Sequence, residues 1–104
     1  MEARRSGVIT RKVGSSVTLA CYSRLPRGVG ADWYKMDPSS DTVVHPSKGL
    51  LINATRSERI TIRSTSPSTL VIDNLQPSDS GLYLCEPRLS YLPMTVFNVS
   101  VTGG

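Results

Sequence analysis

Apolar and polar residues alternate with a period of two along most of this 104-residue chain, and no stretch repeats with a helical period. Val17, Leu19 and Cys21 alternate with Thr18 and Ala20, which predicts a strand over residues 16–22 with those three side chains turned inward. Val8, Ile9 and Thr10, followed by Val13, predict a first strand in two pieces. Residues 31–36 read as a strand centred on Trp33, and 82–86 as one carrying Tyr83 and Cys85 on its inward phase. Residues 59–63 and 69–73 form a hairpin around the Ser, Thr and Pro run at 64–68, and 95–101 make the last strand. Two short, exposed strands are expected at 42–45 and 50–53. Breaker-rich segments at 23–30, 37–41 and 76–81 separate these elements. About nine short strands joined by turns are the pattern of an all-β sandwich.

Composition agrees with one folded domain. Hydrophobic residues make up 38% and charged residues 19%, too apolar and too weakly charged for a disordered chain. The whole of 1–104 is read as a single domain, with 1–6 a disordered or added start and 102–104 the beginning of a stalk or an artificial end. Met1-Glu2-Ala3-Arg4-Arg5 has no apolar stretch behind its charges and is no signal peptide. No apolar run has the ~20 residues of a membrane helix, so any membrane attachment would use a transmembrane segment outside this sequence.

Two cysteines, Cys21 and Cys85, and one histidine, His45, are too few for a tetrahedral zinc site, and the cysteines are too far apart for a Cys-x-x-Cys redox motif. Two free buried thiols or one disulfide remain. The matched inward phase on separate strands favours a bridge across the core, closing 64 residues. A bridge needs an oxidising compartment, which places the chain outside the cytosol as part of an extracellular protein.

Trp33 lies 12 residues after Cys21, and Cys85 ends the run Asp79-Ser80-Gly81-Leu82-Tyr83-Leu84-Cys85. With this order of Cys, Trp, Asp-x-Gly-x-Tyr-x-Cys, nearly the whole chain resembles the immunoglobulin variable-type domain. The resemblance implies a Greek-key sandwich of two antiparallel sheets, with Trp33 packed on the disulfide and Tyr83 as the corner tyrosine. It also implies an ion pair between Arg59 and Asp79, and a tight backbone approach at Gly81. The length between Trp33 and Leu70 suits the nine-strand form over the seven-strand form. The last strand, Thr95-Val96-Phe97-Asn98-Val99-Ser100-Val101, lacks the Phe-Gly-x-Gly bulge of antigen receptors. In that respect the chain is similar to germline-encoded leukocyte receptors, among them the T-cell co-receptors that bind MHC molecules.

Enzyme chemistry finds no support. His45 stands near no nucleophile justified by spacing, and the eight carboxylates are scattered without a metal-binding cluster. No cofactor is expected. The net charge of +4 arises from dispersed Lys and Arg with no aromatic-basic stripe, which argues against nucleic acid as a partner.

Two surfaces are candidates for a partner. In the resembled fold, loops 23–30 and 87–94 share one end. They carry Arg24, Arg27, Arg88, Leu89, Tyr91, Leu92 and Met94 with no carboxylate, a tip suited to an acidic protein surface. The second surface is the outer face of the sheet holding Trp33 and Cys85. Alternation turns Tyr34, Met36, Leu82, Leu84 and Glu86 outward there, and Tyr34, Met36 and Leu84 would make an apolar face for a homo- or heterodimer. Asn53-Ala54-Thr55 and Asn98-Val99-Ser100 are glycosylation triplets, with Asn98 expected to face outward.

The resemblance leads to one expectation: the extracellular recognition domain of an immune-cell receptor, binding a cell-surface protein through its loop tip, with MHC class I favoured. The alternatives are an activating or inhibitory receptor with another ligand, and an adhesion domain that binds its own kind. The basic tip argues against tip-to-tip self-pairing.

Overall fold

The computed structural model describes residues 3–21, 29–36, 49–52, 59–63, 68–89 and 91–103. Its elements are β1 (Ala3–Lys12), β2 (Val17–Ala20), β3 (Ala31–Met36), β4 (Gly49–Leu51), β5 (Ile60–Arg63) and β6 (Thr69–Ile72). A 3-10 turn (Pro77–Asp79), β7 (Gly81–Pro87) and β8 (Met94–Thr102) follow. The expected strand at 42–45, with His45, lies outside the described residues. No helix among the described residues is long and apolar enough to cross a membrane.

The strands form two sheets, one ordered β1-β8-β7-β3-β4 and one ordered β2-β6-β5. Among the described strands every pairing is antiparallel except β1 with β8, which is parallel. Two findings differ from the sequence reading. β1 begins at Ala3, inside the stretch expected to be disordered, and runs unbroken to Lys12. It pairs Ala3–Arg5 with 94–96, then shifts register before Val8, which pairs with Asn98. An edge strand held by backbone bonds needs no alternating apolar signal, and the shift at Ser6 and Gly7 breaks what alternation there is. At the other end β8 includes Thr102, paired with Lys12, where a stalk was expected to start.

The core lies between the sheets. Val17, Leu19, Leu70 and Ile72 face it from the three-stranded sheet, and Trp33, Tyr83, Phe97 and Val99 from the five-stranded one. The Trp33 and Phe97 rings stack at 5.8 Å with 25° between their planes. The disulfide joins Cys21, just past β2, to Cys85 on β7, with Cα atoms 5.9 Å apart, and so ties the two sheets together. Trp33 stands directly opposite Cys85 in the β3–β7 ladder. Its indole N–H donates to Ser68 Oγ at 3.0 Å, and the Ser68 hydroxyl donates on to the Arg63 carbonyl at 3.2 Å. The polar edge of the largest core side chain is thereby satisfied.

The lower corner is held by Asp79. Arg59 donates to both its carboxylate oxygens at 2.9 and 3.3 Å, and the Gln76 backbone N–H donates to Oδ2 at 2.8 Å. The Tyr83 hydroxyl donates to the Asp79 carbonyl at 2.6 Å. Burial opposes ionisation of Asp79, but the Arg59 and Gln76 hydrogen bonds and the charges of Arg59 and Lys35 outweigh it and hold the pKa below the ordinary value. Lys35 completes the corner, donating to the Ser78 carbonyl with its ammonium 5.6 Å from the Tyr83 ring centre. Gly81 is required for its backbone, at φ 143°, and not for crowding, since a Cβ there would meet only Lys35 at 3.6 Å.

Candidate binding face

Alternation along β3, β7 and β8 sets the outer face of the five-stranded sheet. With Trp33, Tyr83, Cys85 and Phe97 turned inward, Tyr34, Met36, Leu82, Leu84, Met94 and Val96 turn outward. The ladder registers align Leu51 of β4, Tyr34 of β3, Leu84 of β7 and Val96 of β8 in one row across four strands. A solvated sheet face carries polar side chains at such positions. This one carries a second apolar cluster, separate from the main core.

Burial within that cluster differs from the sequence expectation. Met36 and Leu84 do face outward, but they are 2% and 0% exposed. Tyr34, Leu82 and Met94 pack against Met36, Leu84 and Val96 and crowd them from solvent. The part of the face open to a partner is therefore Tyr34, Leu82 and Met94, all half-buried, with Leu51 at the β4 side, 60% exposed. Leu51 was not singled out in the sequence. Its place in the row follows only from the β3–β4 register.

Toward the loop end the same face turns polar. Arg88 donates to Asp32 Oδ1 at 2.8 Å, and Asp32 is the cross-strand partner of Glu86. The Arg88 backbone N–H donates to the Gly30 carbonyl at 3.0 Å. The hydrogen bond that Arg88 donates to Asp32, then the Asp32 charge, raises the Arg88 pKa. Burial raises the Tyr34 pKa, with the Glu86 and Asp32 charges adding to it and Arg88 opposing. Arg88 is therefore not an uncompensated basic group waiting for an acidic surface, as the loop composition alone suggested. The carboxylate comes from the neighbouring strand, 56 residues away in sequence.

In the rest of the β7–β8 loop the Leu92 N–H donates to the Leu89 carbonyl at 3.0 Å, a tight turn that leaves Leu89 and Leu92 half-buried. Tyr91 is 72% exposed. Arg24, Arg27 and Asn53 lie outside the described residues. Asn98 is exposed on β8, between Val8 of β1 and Leu82 of β7. Among the described residues, no group of His, Cys, Asp or Glu is arranged to hold a metal ion.

Residues 5–102 match the immunoglobulin V-set domain family. No curated protein matches the chain by sequence. Among solved structures, the ZIG-8 IG1 homodimer is similar with a TM-score of 0.69 at 19% identity, over 98% of this chain and 84% of that one. A chain from the structure of Dpr11 IG1 bound to DIP-gamma IG+IG2 is similar with a TM-score of 0.71 at 15% identity, over 93% of this chain and 99% of that one. At these identities the likeness is one of fold. The inter-sheet disulfide, the tryptophan against it, the tyrosine corner with its Arg59–Asp79 pair and the family match over 5–102 agree, and the chain belongs to the immunoglobulin V-set family.

Proposed function

We propose that this domain is an extracellular recognition module that pairs with another immunoglobulin domain, first of all a second copy of itself, through the outer face of its five-stranded sheet. The observation that carries this reading is the apolar row from Leu51 through Tyr34 to Leu84 and Val96, on a face that solvent would otherwise claim. The polar end of the face bears both signs, Arg88 with Asp32 and Glu86, so two copies can meet without opposing like charges. The similar structures are themselves assemblies of immunoglobulin domains, the ZIG-8 homodimer and the Dpr11 complex with DIP-gamma, which supports a partner of that kind. V-set domains with this disulfide are typical of cell-surface proteins and typically bind without catalysing, which supports the location and the function class.

The reading of a loop-tip receptor for MHC class I rests on resemblance alone. The engagement of Arg88 by Asp32 weakens its electrostatic basis. Sedimentation across a concentration series separates the two. Self-association is expected, with Leu51→Glu shifting the protein to monomer and Arg88→Ala leaving association nearly intact. Monomer at all concentrations, together with an MHC class I complex abolished by Arg88→Ala, would overturn the sheet-face reading.

A further inference from the structure

We infer that Asn98 is an N-glycosylation site whose glycan lies over Val8 and Leu82, closing the β1–β8 side of the outer face and leaving the Tyr34–Leu51 side open. Three observations on that strand converge. Asn98-Val99-Ser100 is an acceptor triplet, and Asn98 is exposed while Val99 between them is anchored in the core. The Asn98 side chain lies on the solvent side of the strand, so its amide nitrogen is accessible. Its cross-strand neighbours are Val8, 62% exposed, and the half-buried Leu82. An exposed valine and a half-buried leucine flanking an exposed asparagine are apolar surface that the first sugars of a glycan would cover.

The reaction requires an oligosaccharide linked through pyrophosphate to a lipid, the donor of the eukaryotic secretory pathway. The Asn98 amide nitrogen displaces the lipid pyrophosphate from C1 of the donor sugar. A nitrogen–carbon bond forms, the carbon–oxygen bond to pyrophosphate breaks, the nitrogen loses one proton, and nothing is oxidised or reduced. The glycan then stands on β8, one strand in from the β1 edge and three strands from β4, since the sheet order is β1-β8-β7-β3-β4. That this geometry spares pairing through Tyr34 and Leu51 rests on the function proposed above. The modification itself does not.

The chain's own tryptic sites make the test clean. Cleavage after Arg88 releases residues 89–104 with Asn98 as their sole acceptor, while residues 49–56, between Lys48 and Arg56, carry the other triplet at Asn53. Protein secreted from a mammalian host is expected to yield 89–104 as a glycopeptide. Peptide-N-glycosidase should convert its Asn98 to aspartate, and Ser100→Ala should abolish the glycan. Recovery of 89–104 only in unmodified form from secreted protein overturns the site. Hydroxyl-radical footprinting on dilute protein, before and after enzymatic deglycosylation, reads the cover. Labelling of Val8 should rise several-fold on deglycosylation while that of Leu51 stays constant. Equal labelling of Val8 in both states overturns the placement of the glycan. Neither readout depends on self-association, so a failure of the pairing reading would leave both standing.

Discussion

The corner pair between Arg59 and Asp79 gives the sharpest prediction, because its parts differ so much in exposure. The Asp79 side chain is 9% exposed and that of Arg59 36%. Replacing Arg59 by alanine leaves a nearly buried carboxylate whose Oδ2 retains the Gln76 N–H, while Oδ1 loses its guanidinium partner. Breaking a fully buried ion pair costs about 3–5 kcal/mol, and exposed pairs are worth about 0–1 kcal/mol. With one partner buried and the other a third exposed, Arg59→Ala should cost about 2 kcal/mol. For a domain of this size that lowers the melting temperature by roughly 8–16 °C. The charge of Lys35 and the Gln76 bond keep the cost from reaching the buried limit.

Acid dependence gives the same prediction a second edge. The folded Asp79 pKa lies below the unfolded value of about 3.9, so its stabilisation is fully present above that value and is lost as pH falls through the lower folded value. Without Arg59 the folded pKa rises toward or past the unfolded one, and this carboxylate no longer favours the fold at neutral pH. Urea denaturation of both proteins from pH 7 down to about pH 2 should therefore show a gap that is constant near neutrality and narrows in strong acid. A gap under about 0.5 kcal/mol at pH 7, or one that stays constant down to pH 2, would falsify the assignment of the corner's stability to this pair.

The core supplies two further predictions. Ser68→Ala leaves the Trp33 N–H without its acceptor and should cost about 1–3 kcal/mol, with a change in tryptophan fluorescence, whereas Ser68→Thr should recover most of the loss if its hydroxyl reaches the same place. Reduction of the Cys21–Cys85 bridge, which closes 64 residues, should lower unfolding free energy by about 4 kcal/mol in denaturant titrations, and denatured unreduced protein should titrate no free thiol.

Strand identity and sheet membership were legible wherever one face of a strand is buried and the other is not. β2 and β6 alternate in burial, and the parity of Cys21 follows from β2, whereas β3 and β7 bury side chains on both faces and the parity of Trp33, Tyr83 and Cys85 rests on their shared motif. β1 was read too short because backbone pairing with β8 leaves little trace in side-chain pattern. The supports of the signature residues were invisible for a different reason. Ser68, which accepts from Trp33, lies 35 residues from it, and Lys35 reaches a carbonyl 43 residues away. Neither distance carries a local pattern. Parity also says which way a side chain leaves the sheet, not whether neighbours crowd over it. That is why Met36 and Leu84 were placed on the right face and expected at the surface, yet are buried.

The difference between the two candidate surfaces reduces to what each can gain on binding. The loop tip was attractive as a set of arginines facing no carboxylate, but its described member, Arg88, already holds Asp32. A partner's carboxylate would have to displace that bond or share the cation, and an exposed ion pair exchanged for another yields little free energy. The sheet face has no such competitor. Leu51 exposes most of its side chain, and Tyr34 and Met94 are each only part-covered, so each has apolar area still to remove from water at about 25 cal/mol per Å². Beneath them Met36, Leu84 and Val96 form a packed base that leaves these rim side chains little freedom to lose. On the proposed reading, a face with uncovered apolar area over a packed base, bordered by Arg88, Asp32 and Glu86, would draw affinity from its Leu51–Tyr34 side and specificity from its charged end.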